Sequence, residues 1–161
     1  MIHDKVKRIL IALDYHPTAL KVAEVGFTMA KAMGAEVVLL HVIMNMLTYS
    51  LTYLEMGPLK LESVKDLEQA SQDFLEMSKR HLGDNMIQTI VKQGDFAISI
   101  LNTAKEMAVD IIVMGSHSTK WLEEIVMGRV TNEVLQQTSI PLLIIPTRKQ
   151  DKMNTLISLK N

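Results

Sequence analysis

Four short apolar runs punctuate the chain: Ile9–Leu13, Val37–Val42, Ile111–Met114 and Pro141–Ile145, each rich in Val, Ile or Leu and followed by polar or turn-prone residues. Unbroken runs of this kind suit strands buried on both faces of a parallel sheet; half-exposed strands alternate instead. A fifth run, Ile87–Lys92, does alternate more and reads as a strand nearer an edge.

Between these runs the apolar period lengthens to that of a helix. Leu20, Ala23, Phe27 and Ala30 form one stripe, which Gly34 is placed to end in left-handed geometry. Val64, Leu67, Ala70, Phe74, Leu75 and Met77 mark a longer helix that closes near His81 to Gly83. Ile98, Leu101, Ala104 and Lys105 define a third, with Asp95 as its N-cap, and Val130, Val134 and Leu135 a fourth, running to about Thr138. Strands that alternate with helices imply an α/β domain, a parallel sheet with helices on both faces joined by right-handed crossovers.

Two segments stand outside this alternation. Ile43–Lys60 holds three methionines, two tyrosines and Gly57-Pro58, and is too long for an ordinary connection. It reads as a lid, as a surface for a protein partner, or as an excursion that packs its own side chains. The tail, residues 147–161, is polar and basic before the short apolar patch Leu156-Ile157, and is expected to be disordered or to dock on a second subunit. One domain over residues 1–146 is the expectation.

Composition narrows the function classes. Seventeen basic against eighteen acidic residues give a net charge of -1, which argues against a broad footprint for nucleic acid or anionic membrane. The absence of cysteine removes disulfides, thiolate nucleophiles and cysteine-held metal clusters. No apolar stretch approaches the roughly 18 residues of a membrane span, and the run after the charged N-terminus is too short for a signal-peptide core. A cytoplasmic location is expected.

In open α/β sheets ligands bind beyond the C-terminal strand ends, where the strand order reverses. The residues at those ends are Asp14-Tyr15-His16-Pro17, His41-Val42, Gly115-Ser116-His117-Ser118 and Pro146-Thr147. Asp14 suits a ribose hydroxyl or a metal-bound water, and equally suits a cap on the helix after it. The stretch VMGSHSTKWLEEIVMGRV, Val113 to Val130, places a small-residue turn before a helix start. A phosphate there would meet N–H groups of the 115–118 turn and of the 129–131 helix start, with Ser116, Ser118 and Thr131 as hydroxyl donors and Arg129 as counter-charge. A purely structural turn fits the spacing as well.

Other chemistries lack their residues. Neither a Gly-x-x-x-x-Gly-Lys-Ser/Thr loop nor a Gly-x-Gly-x-x-Gly turn occurs, and no serine lies in a Gly-x-Ser-x-Gly elbow. The partners of a receiver-type phosphoacceptor aspartate are missing. His3, His16, His41, His81 and His117 show no metal-ligand spacing and read as satisfied or solvated histidines; Trp121, without a basic stripe, reads as core or interface.

Taken together, ILIALD (Ile9–Asp14), VVLLHV (Val37–Val42), VKQGD (Val91–Asp95), DIIVMGSHS (Asp110–Ser118), GRVTNEVL (Gly128–Leu135) and PLLIIP (Pro141–Pro146) resemble the universal stress protein family in order and spacing. The resemblance runs from about Lys5 to Pro146. It implies a five-stranded parallel sheet in the Rossmann-like order 3-2-1-4-5 and a homodimer through the last strand, Leu142–Ile145. It also implies an adenine-nucleotide-binding regulatory or sensor protein of the stress response, with at most slow ATP hydrolysis; no residue reads as a committed general base, so no catalytic residue is assigned. A nucleotide-free dimeric interaction module of the same fold is the alternative, and a phosphotransferase using Asp14 and magnesium a third. Nucleotide-binding members carry Gly-x2-Gly-x9-Gly-Ser/Thr. Here Gly115 and Gly128 match, while Ser118 replaces the second glycine and Arg129 the final Ser/Thr. By this resemblance Asp14 faces ribose or a magnesium ion, with Ala12 on the same strand, and Val42 meets the adenine edge through its backbone. Met114, Gly115, His117 and Val130 line the pocket, and Ser118, Gly128, Arg129 and Thr131 approach the phosphates. The bulk of Arg129 favours AMP or ADP over ATP.

Overall fold

The computed structural model describes residues 5–44, 61–116 and 127–147. Most of Ile43–Lys60, together with His117, Ser118, Trp121 and nearly all of the C-terminal tail, lies outside them. Five strands, β1 (Arg8–Ala12), β2 (Glu36–Ile43), β3 (Gln88–Gln93), β4 (Ile111–Gly115) and β5 (Leu142–Ile145), form one sheet in the order β3-β2-β1-β4-β5. All four pairings are parallel. The described helices are α1 (Ala19–Met33), α2 (Leu61–Leu82), α3 (Phe96–Glu106) and α4 (Arg129–Gln137).

The apolar runs are continuous because each central strand feeds two cores. Ile9, Ile11 and Leu13 pack with Val22 and Ala23 of α1 and Leu75 of α2. Leu10, between them in sequence, packs with Ile100 and Ala104 of α3 and Val134 of α4. Leu10 and Ile11 are fully buried, and each such side chain contributes about 1.5–3 kcal/mol by leaving water. β3 is an edge strand, as its alternation suggests; Thr89 to Lys92 are only half-buried and Gln88 and Gln93 are exposed.

Helix ends reflect their local chemistry. Gly34 closes α1 at φ 65°, and the Asp95 carboxylate accepts from the Ile98 N–H at 2.9 Å to cap α3. The buried helix faces differ from the apolar stripes in three places. On α2, Leu67, Ala70 and Met77 are exposed, whereas Ser71, Leu75 and Ser78 are buried. Small serines let this helix come close to the sheet, and their hydroxyls are satisfied by Tyr15 and by the Phe74 carbonyl. On α3, Ile98 and Lys105 point outward while Ala97, Ile100, Leu101, Thr103 and Ala104 face the sheet. On α4, Leu135 is exposed and the buried pair is Thr131 and Val134.

Candidate functional site

The strand order reverses between β1 and β4, so their C-terminal ends open a crevice rather than carrying a helix straight across it. On the β1 side the chain leaves the sheet through Leu13 into the exposed Asp14. The Asp14 carboxylate accepts from the His16 N–H at 3.1 Å, so the aspartate shapes the turn two residues on. It does not cap α1, whose N-cap is Thr18 with no side-chain bond.

The last rung between β1 and β2 is Leu13 N–H to Leu40 C=O at 2.8 Å. Strand period then turns the N–H and C=O of Val42 to that same β1 side. The next rung, from Val42 N–H to Leu13 C=O, does not form. Instead His41, buried in the sheet, places its Nδ1 2.7 Å from the Leu13 carbonyl. A carbonyl only accepts, so Nδ1 carries the proton. The His41 ring is also packed against Tyr15 and Phe74, at centroid distances of 4.5 and 5.6 Å.

On the β4 side Gly115 ends the strand, and Ser116 joins three elements just beyond it. Its N–H donates to Ile145 C=O at 2.9 Å, its carbonyl accepts from Gly128 N–H at 3.2 Å, and its Oγ accepts from Thr147 N–H at 3.0 Å. Gly128 is the N-cap of α4, with no side-chain cap and no acidic residue in the first turn. The first intrahelical bond runs from Asn132 N–H to Gly128 C=O, so the N–H groups of residues 129–131, at the positive end of the helix, make no bond within it.

Two of the expected phosphate groups are otherwise engaged. Thr131, buried beneath the helix start, donates its hydroxyl to Gly115 C=O at 2.9 Å, which ties α4 to β4. Arg129 turns outward, 87% exposed, with Nε 2.8 Å from Glu133 one turn along. That hydrogen bond and the Glu133 charge raise the guanidinium pKa, with a smaller pull from Asp95.

The structure thus sets Ala12, Asp14 and Val42 on one side of the switch point and Met114, Gly115, Gly128 and Val130 on the other, with the Arg129 side chain turned away and the Thr131 hydroxyl held by Gly115. The part played by Ser116 in joining β4, β5 and α4 had no signal beyond its place after a strand. His41 read as a satisfied histidine, which it is; that its partner is the Leu13 carbonyl depends on a register the sequence does not display. No group of three or more His, Asp or Glu among the described residues could hold a metal ion. A separate open groove of about 570 Å³, lined by Ile43, Lys65, Gln72 and Lys92 among others, lies at the β3 side of the sheet, away from the crevice.

The model of the universal stress protein family matches residues 5–146. The chain belongs to this family. It is 31% identical over 144 residues to universal stress protein YxiE of Bacillus subtilis, covering 86% of this chain and 97% of that protein. Universal stress protein A of Escherichia coli is 25% identical over 147 residues, covering 91% and 98%. Among solved structures, universal stress protein UspA from Lactobacillus plantarum superposes with a TM-score of 0.69 at 17% identity, covering 88% of this chain and 98% of that one. The universal stress protein of Archaeoglobus fulgidus in complex with dAMP has the same fold, with a TM-score of 0.57 at 17% identity and the same coverage.

Proposed function

We propose that this universal stress protein binds an adenine nucleotide in the crevice between β1 and β4 and acts as a regulator or sensor in the stress response. The observation that carries the reading is the pairing of the exposed Asp14 carboxylate with the uncapped N-terminus of α4 across the topological switch point. Asp14 suits the ribose hydroxyls, the unpaired Val42 backbone groups suit the adenine edge, and the α4 N–H groups suit the phosphates. The dAMP complex of the Archaeoglobus fulgidus protein supports the ligand class. A single carboxylate suits magnesium only when phosphate oxygens and water complete its shell, so Mg²⁺ enters with the nucleotide. The protein works in the cytoplasm as a homodimer paired through β5. Hydrolysis of the bound nucleotide is slow at most in this reading.

The test is to denature the purified protein, identify released small molecules by mass spectrometry, and titrate nucleotide-free protein with AMP and ATP. Saturable binding in the millimolar range or tighter is expected. No released nucleotide and no saturable binding would favour the nucleotide-free interaction module. The double substitution Ser118→Gly with Arg129→Ser restores the family motif and is expected to tighten ATP binding relative to AMP. Equal affinities before and after would remove these positions from nucleotide selection.

A further inference from the structure

We infer that His41 is a positioning residue for the crevice: its side chain ends the β1–β2 ladder one rung early, and so both fixes the loop that carries Asp14 and leaves the Val42 N–H free for a ligand. The inference rests on the nucleotide-binding reading for its functional consequence, though not for its structural part.

Leu13 is held from two sides, by its own N–H on Leu40 C=O and by its carbonyl on His41 Nδ1. Strand period directs the Val42 N–H toward the Leu13 carbonyl; that carbonyl has two lone pairs, so His41 acts by drawing it out of line with Val42 and not by saturating it. Without that pull, two consequences would arise together, an extra rung between β1 and β2 and a loop drawn in line with the sheet. The His41 ring prevents both. It is itself fixed by Tyr15 and Phe74, whose rings lie 4.9 Å apart, and Tyr15 is anchored by its hydroxyl, 3.0 Å from the buried Ser71 Oγ on α2. Asp14 therefore sits between two restrained neighbours, Leu13 and Tyr15. Its carboxylate is presented by a loop whose backbone is already ordered, which reduces the entropy lost when a ligand binds.

The experiment compares the full chain with His41→Phe, which keeps an aromatic ring but removes the donor, and His41→Asn, whose amide N–H can reach the place of Nδ1–H. Amide hydrogen exchange on the nucleotide-free proteins reads the ladder, and titration with adenosine and AMP reads the site. In His41→Phe the Val42 amide is expected to become more protected and AMP affinity to fall about tenfold, the order of one well-placed hydrogen bond. His41→Asn restores both. In an Asp14→Ala background the effect of His41→Phe on affinity is expected to shrink, because the group being positioned is gone. Unchanged Val42 protection in His41→Phe, or a changed protection with unchanged AMP affinity, overturns the inference while the nucleotide reading stands. If the unaltered protein binds neither ligand but Val42 protection still responds, the nucleotide reading fails and the ladder-ending role of His41 stands. Should His41→Phe fail to fold, His41→Leu, which also lacks the donor, takes its place under the same expected and overturning outcomes.

Discussion

Single residues set the local geometry where their chemistry has few alternatives. Asp95 at an N-cap and Gly34 in the left-handed region are legible because few other residue types do these jobs at low cost. Ala108 shows the converse. It holds φ 49° at the end of α3, where Val109 N–H reaches Ala104 C=O and Ala108 N–H reaches Lys105 C=O. That bonding pattern ordinarily recruits glycine. A left-handed alanine costs roughly 1–2 kcal/mol, part of which glycine returns as unfolded-chain entropy. Ala108→Gly is therefore expected to stabilise the fold by about 0.5–1 kcal/mol, read as a higher urea midpoint with an unchanged slope. A lower midpoint would show that the turn carries no such strain. Neither the strain nor its relief is visible in the sequence, where Ala108 is one of many small residues.

At the scale of elements, apolar period located every described helix but misjudged which face three of them bury. The reason lies in serine, threonine and alanine. Ser71 and Ser78 of α2, Thr103 of α3 and Thr131 of α4 are buried with hydroxyls satisfied by neighbouring backbone or side chains. A hydropathy stripe counts such residues as polar and leans toward Leu67, Met77, Ile98 and Leu135 instead. Close packing also explains Gly26 in the middle of α1, a position where glycine weakens a helix. A Cβ there would lie 2.8 Å from Ile11 Cδ1 and 3.2 Å from Val113 Cγ1, both on fully buried side chains of β1 and β4. Gly26→Val is expected to destabilise by about 2 kcal/mol through overpacking, measured by chemical denaturation. A neutral effect would mean that α1 can retreat from the sheet without loss.

Across the whole molecule, β5 is the edge beside the crevice. The carbonyls of Pro141 and Ile145 accept from Ile112 and Ser116, so the alternate residues Leu142 and Ile144 turn their backbone groups away from β4. An apolar edge of this kind templates pairing with another strand, and a second copy is the proposed occupant. Ile144→Pro removes an outward N–H while sparing the ladder to β4. It is expected to convert a dimer into a monomer in size-exclusion chromatography with light scattering, with the circular dichroism spectrum retained. A monomeric unaltered protein, or a dimeric variant, would rule out pairing through this edge. The sequence by itself determined the alternation of strands and helices, the two-sided burial of the central strands and the family motifs, because hydrophobic period and turn chemistry are local properties of consecutive residues. Only the tertiary structure decided that Thr131 is spent on Gly115, that Arg129 turns to Glu133, and that His41 meets the Leu13 carbonyl at the end of the β1–β2 ladder. Each of these depends on which distant groups share one register and compete for one hydrogen bond.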